Sequence, residues 1–353
     1  MSRAALFFFS RDPGPTNVLI AVYEALSDPA ILAGSSAEFR RFAAEVAQGE
    51  APKFAIYGKG HALESWASGG HAARDWNQAV PAASSPPERV AAIEELLRGQ
   101  GVTAIITGTS DVDEDTDRAL WRAARALGLP RHVFLDHRSN LDRRFADRDG
   151  SRWYPDATYV PDEGYRNAII AAGVPAGRVR VIGDLQFERM RRIGRQVSTD
   201  EVAVLRADWG ADSEQEIVLF ASECTEEMAA LKRPSPYSEF ETLDRLIADI
   251  RMHRPIGGRP LSPDRSVLVI RPHPRDSDGK YGAYAALESP RVVISRDGTP
   301  AQAILAADLV VGMDSTLLFE ADALGRTAVS LVPSSSFARH RQAQEGRGKG
   351  SRE

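Results

Sequence analysis

The stretch Ala307-Asp308-Leu309-Val310-Val311-Gly312-Met313-Asp314-Ser315-Thr316-Leu317-Leu318-Phe319-Glu320-Ala321-Asp322-Ala323-Leu324-Gly325-Arg326 carries one complete unit of the fold. Residues 309–311 form a short apolar run of the kind that makes a buried strand, and residues 317–324 carry a helical pattern. The segment between them, Gly312 to Thr316, is a small polar turn opening a helix. The same alternation runs outward in both directions. Residues 5–9, 54–57, 104–106 and 132–135 read as buried strands in the first half, and 179–182, 217–220, 266–270, 292–294 and 328–331 in the second. Amphipathic stretches at 17–26, 87–98, 117–127, 240–252 and 300–306 separate them. Strand and helix repeated this way predict an α/β fold with parallel sheets covered by helices on both faces.

The chain has 353 residues, enough for two domains at roughly 100–200 residues each. A junction is expected at the Arg-rich stretch 183–197, giving an N-terminal Rossmann-like domain over 1–185 and a C-terminal one over 186–333. Residues 334–353 carry five basic and two acidic side chains with no apolar period, and are expected to be a disordered polar tail. The net charge of −5 argues against a general affinity for nucleic acid. No apolar run reaches the roughly 18 residues of a membrane span, and the apolar start is too short for a secretory signal, so a cytoplasmic protein is expected. Cys224 is the sole cysteine, which excludes disulfide frameworks and cysteine zinc clusters.

In open parallel sheets, ligands bind beyond the carboxyl ends of the strands. Arg271-Pro272-His273-Pro274-Arg275 follows one strand and presents two guanidiniums and an imidazole on a chain stiffened by proline. That suits phosphate, or equally a surface loop paired to nearby acids. Ser315 and Thr316 at a helix start offer N–H and hydroxyl donors to an anion, or ordinary capping by Asp314 or Ser315. Glu320 sits on an otherwise apolar helix and needs a partner such as a ribose diol, or solvent.

The segment 307–326 resembles the donor-binding segment of glycosyltransferases of the two-Rossmann B architecture, and equally that of the non-hydrolysing UDP-N-acetylglucosamine 2-epimerases. The resemblance implies that the serine-led helix start at Ser315 and Thr316 holds a nucleotide phosphate. It also implies that Glu320, five residues before Gly325, binds ribose. His273-Pro274 and Ser315-Thr316 are similar to the HP and S(S/T) motifs of bacterial sialyltransferases and capsule enzymes, where these contact the donor phosphate. Ile105–Ser110 and Gly128–His137 resemble the N-domain of the epimerase group, and 155–160 with 173–183 resemble the inter-domain passage. The implied architecture is two Rossmann-like domains facing a cleft, with the C-terminal part shortened. The implied activity is sugar transfer from a nucleotide-sugar co-substrate to a glycan or lipid-linked acceptor. Alternatives are a 2-epimerase-like isomerase or hydrolase, and a catalytically silent nucleotide-binding protein. The loop Ala221-Ser222-Glu223-Cys224-Thr225-Glu226 lacks the histidine that epimerases carry there, and Asp162-Glu163-Gly164 matches a sialyltransferase motif by coincidence.

A transferase needs a base for the acceptor hydroxyl. Asp12, Asp111 and Asp136 with His137 follow N-domain strands and are the candidates, although His137 suits a structural role equally. Gly14, in the turn after the first strand, allows close approach by a ligand or completes the turn. The acids 111–117 read as a helix start ahead of a metal-binding DxD cluster. The resemblance to B-type transferases, which generally need no metal, implies no metal and no cofactor besides the nucleotide-sugar co-substrate, and Gly58-Lys59-Gly60 is a weak dinucleotide signal. Oligomeric state is left open.

Overall fold

The computed structural model describes residues 5–49, 51–81, 85–110, 114–137, 140–147, 149–230 and 235–342. The chain divides into two compact units between Gln186 and Phe187. The first is built on a seven-stranded sheet: β1 (Ala5–Ser10), β2 (Lys53–Gly58), β3 (Arg74–Asp75), β4 (Val102–Thr107), β5 (Arg131–Phe134), β6 (Ala157–Val160) and β7 (Val179–Val181). The second has five strands: β8 (Glu216–Ala221), β9 (Ser266–Arg271), β10 (Arg291–Ile294), β11 (Leu309–Gly312) and β12 (Ala328–Ser330). The spatial orders are β3-β2-β1-β4-β5-β6-β7 and β10-β9-β8-β11-β12. Every paired neighbour is parallel.

The central strands are apolar throughout because both faces of each sheet are covered. Along β1, Leu6 and Phe8 pack into one cluster while Phe7 and Phe9 pack into the other. In the second unit Val218 and Phe220 separate from Ile217 and Leu219 in the same way. Each such side chain removed from water contributes about 1.5–3 kcal/mol.

Two readings are corrected here. Residues 155–183 are not a passage between domains: they supply β6, β7 and the helix Glu163–Ala171, completing the first sheet. Asp162 caps that helix by accepting the Tyr165 N–H at 2.8 Å. Residues 334–342 are not a disordered tail. Residues 336–342 are helical, and Phe337 is buried in the core beside β11. The Asp314 carboxylate accepts the Ser336 N–H at 2.7 Å, which caps the helix. One aromatic and one distant cap leave no periodic signature in a serine-rich segment. The remainder of the expected tail, 343–353, lies outside the described residues.

One core group carries a pH dependence. His132 on β5 is 3% exposed, and its Nδ1 lies 3.1 Å from the Tyr159 hydroxyl. Burial pushes it down to about 4, against the pull of Asp156. The folded state therefore keeps His132 neutral where the unfolded chain, with an ordinary value near 6.5, takes a proton. Its contribution is present above the unfolded value and is lost as pH falls through 6.5 towards 4. Urea denaturation is expected to show the first unit losing about 2 kcal/mol more between pH 7 and pH 5 than a His132→Gln variant does. Equal losses would remove His132 as the source.

Candidate functional site

Both sheets reverse their strand order beside their first strand, at β1/β4 and at β8/β11, and ligands of open α/β sheets bind outside such points. At β1/β4 the chain leaves β1 through Ser10-Arg11-Asp12 into the helix Pro13–Ser27. Asp12 is ion-paired with Arg11 at 3.0 Å and its side chain makes no cap bond. Lys59, after β2, donates to Glu114 at 3.0 Å and to the Thr116 hydroxyl at 3.0 Å. Burial opposes ionisation of Glu114, but the Thr116 and Lys59 hydrogen bonds and the lysine charge hold it below the ordinary carboxylate range.

Asp136, just past β5, accepts from Arg144 at 2.6 Å, and the same guanidinium nitrogen reaches the Thr109 hydroxyl at 2.7 Å. Arg144 is itself placed by a fully buried arginine. Arg118 binds Asp147 at 2.8 Å, the Glu114 carbonyl at 2.9 Å and the Arg144 carbonyl at 3.4 Å. At the start of the helix Thr116–Ala126, Glu114 accepts the Thr116 N–H at 3.1 Å and Asp117 lies in the first turn, while Asp113 lies outside the described residues. Asp115 pairs with Arg89, and Asp117 accepts the Ser110 N–H at 2.8 Å. Burial drives Asp117 up to about 6 despite Arg118. His137 is half-buried in the same turn as Asp136, and Asp111 lies outside the described residues.

Gly14 proves to be a packing glycine. A Cβ placed on it would collide with the Asp136 carboxylate. Because Arg144 pins that carboxylate, Gly14→Ala is expected to cost about 1–3 kcal/mol in a denaturation experiment. In an Asp136→Ala background the cost should nearly vanish, and strict additivity would show that the two do not touch.

On the second sheet, Ala221 and Gly312 are paired at the ends of β8 and β11. A cavity of about 360 Å³ opens beyond them. Arg271, His273, Arg296, Ser222 and Ser315 form its polar lining, with Pro300 and Leu317 among its apolar walls. No acidic side chain among the described residues lines it. Arg271 donates to the carbonyls of Asp297 and Gly298, each at 2.9 Å. Arg296 donates to the carbonyls of His273 and Asp276, at 3.0 and 2.9 Å. Burial draws Arg271 below its ordinary value, against the charges of Asp297 and Glu320.

The His273 tautomer follows from geometry. Its Nδ1 lies 3.1 Å from the Arg275 backbone nitrogen, which can only donate. Nδ1 is thus the acceptor, and the ring proton sits on Nε2. Burial also lowers the His273 pKa, against Asp276. The imidazole offers a neutral N–H donor, and formal positive charge comes from the guanidiniums. Ser315 caps the helix Thr316–Ala323 by accepting the Leu317 N–H at 3.2 Å, leaving its hydroxyl proton available to the cavity. Capping therefore does not use up the hydroxyl of Ser315 as a donor. Thr316 is exposed at the first helical position, and Glu320 is buried one turn further on. Arg296 escaped the sequence reading. Its signal was its place just after residues 292–294, the same relation that Arg271 has to β9.

A larger depression of about 740 Å³ runs along the helix Glu239–Arg251, away from the strand ends. The cations bordering it are engaged: Lys280 with three carboxylates and Arg251 with the Ser289 carbonyl. Among the described residues no cluster of His, Cys, Asp and Glu is arranged to hold a metal ion. No helix among them is long and apolar enough to cross a membrane.

No protein-family model and no curated protein sequence matches the chain. Solved structures do. The UDP-GlcNAc 2-epimerase of Neisseria meningitidis, bound to UDP-GlcNAc, aligns over 94% of this chain and 83% of its own, with a TM-score of 0.58 and 11% identity. The Methanocaldococcus jannaschii UDP-GlcNAc 2-epimerase aligns over 96% and 86%, with a TM-score of 0.59 and 12% identity. Anabaena HepE, in complex with UDP and glucose, aligns over 93% and 80%, with a TM-score of 0.54 and 14% identity. Identities this low speak to architecture alone: the chain has the α/β, GT-B-like fold of two Rossmann-like parallel-sheet units that these proteins share.

Proposed function

We propose that the chain is a nucleotide-sugar-dependent enzyme of the glycosyltransferase kind, with its donor phosphates in the cavity at β8/β11. The observation that carries this is the convergence of Arg271, Arg296, His273 and Ser315 on one space that no carboxylate among the described residues lines. Such a set stabilises the charge that develops when the bond from the sugar to the nucleotide phosphate breaks. Glu320 is assigned to the ribose, and Asp136 to the proton of the acceptor hydroxyl. The ligands of the similar structures, UDP-GlcNAc in one and UDP with glucose in another, support a nucleotide-sugar partner.

Calorimetric titration of the intact chain with UDP, CDP and CMP tests the donor site. Micromolar to millimolar binding of at least one is expected, and no binding at millimolar concentration overturns the reading. A second reading, isomerisation at carbon 2 of the sugar, draws on the several 2-epimerases of like fold. It requires deuterium incorporation at carbon 2 in deuterated water without an acceptor. In this chain Glu223, in the loop where epimerases carry histidine, accepts from the Tyr237 hydroxyl at 3.0 Å and from the Asp314 N–H. That engagement favours transfer.

A further inference from the structure

Beneath the cavity lies a buried polar knot that the proposed chemistry does not use. Asp276 has no exposed side-chain surface. One of its oxygens, Oδ2, accepts the His273 backbone N–H at 2.7 Å, the Ser222 hydroxyl at 3.3 Å and the Tyr281 hydroxyl at 3.4 Å. The other, Oδ1, accepts from Lys280 at 2.8 Å. The turn is closed a second time by the Asp276 N–H, which donates to the His273 carbonyl at 2.9 Å. Arg296 then binds the carbonyls of both residues. A single carboxylate thus joins the loop after β8, through Ser222, to the loop after β9, through His273. Arg296 ties the loop after β10 to the same turn.

We propose that Asp276 is a positioning residue of this cavity, one that holds the His273 loop so that the imidazole presents its Nε2–H to the bound anion. The causal chain is short. The Asp276 carboxylate fixes the backbone of residues 273–276. That backbone places the Arg275 N–H against Nδ1, and the Nδ1 acceptor forces the ring proton onto Nε2. Lys280 supplies the cation that lets a carboxylate sit where water does not reach. Asparagine in its place offers one acceptor oxygen instead of two. It can serve Lys280 or the His273 N–H, and it leaves the other group unmatched. The role assigned to the cavity rests on the donor-site reading, but the tautomer of His273 does not.

The experiment uses the full chain labelled with nitrogen-15 histidine, His273 being assigned from a His273→Gln variant. In the wild type, His273 is expected as the Nε2–H tautomer at pH 7. In Asp276→Asn it is expected to become a mixture of tautomers, with UDP affinity lowered by about tenfold or more. Tyr281→Phe removes a different donor to the same carboxylate. It is expected to keep the wild-type tautomer and to bind UDP within about twofold of wild type. An Nδ1–H tautomer in the wild type overturns the proposal whether or not any variant folds. So does an Asp276→Asn variant with both tautomer and affinity unchanged. Absence of UDP binding by the wild type overturns the donor-site reading instead, and the spectra of unliganded protein still decide the positioning role.

Discussion

Arg271→Ala is expected to weaken UDP binding by about 10- to 100-fold, the loss of one charge-assisted phosphate contact in a half-buried site. Its guanidinium is aimed by two backbone carbonyls and faces no carboxylate across the cavity. Its hydrogen bonds go to those two carbonyls, while the charges of Asp297 and Glu320 act on it from nearby. Truncation removes the charge and also frees the turn Ser295–Gly298. Arg271→Lys separates these effects, since it keeps the charge but loses the planar fork that grips both carbonyls. The expected order of affinity is wild type, then lysine, then alanine, read by calorimetry at fixed ionic strength. Alanine and wild type binding UDP equally would place the phosphates elsewhere.

Lys280→Met is expected to produce a large loss of stability in the second unit. The ammonium is 4% exposed and lies within 2.8 Å of Glu227, 2.6 Å of Glu239 and 2.8 Å of Asp276. Burial works against it, but hydrogen bonds to Asp276, Glu227 and Glu239 outweigh burial and raise its pKa. The knot is already short of donors: Glu239 Oε2 finds no hydrogen-bond partner among the described residues. Removing the cation leaves two fully buried carboxylates, Glu239 and Asp276, beside the half-buried Glu227. The cost is about 3–5 kcal/mol at pH 7, or a fall in Tm on the order of 10 °C. Adding Glu239→Gln to Lys280→Met should recover part of the loss, a coupling that a double-mutant cycle measures. Strict additivity of the two substitutions would mean that lost packing, not lost charge, dominates.

The second-sheet cavity was legible to the extent that its residues directly follow strands. Arg271, His273 and Ser315 were found because β9 and β11 are unmistakable apolar runs and the rule of carboxyl ends needs nothing more. Arg296 obeys the same rule but follows a four-residue strand whose turn looks ordinary. The first sheet was under-read because β6, of four residues, looks like a connection, and the strand read at 179–182 gave no sign that it joins that sheet as β7. Lys280 and Asp276 were invisible for another reason. Their partners Glu227 and Glu239 lie on two separate helices, and burial of charge is a tertiary property that no local pattern announces. Gly14 was singled out as a place of close approach, and the group that approaches it is the protein's own Asp136.

Asp314 stands between two helices. Its neighbour Ser315 opens one that borders the cavity, and its carboxylate caps the one that holds Phe337 in the core. The practical outcome concerns anyone fusing or trimming this chain. Splicing an affinity tag over residues 336–342 strips the cap, empties the Phe337 socket and loosens the residue next to Ser315. Such an edit amounts to mutagenesis at the wall of the β8/β11 cavity, and a titration on a preparation made that way would test the edit rather than the chain.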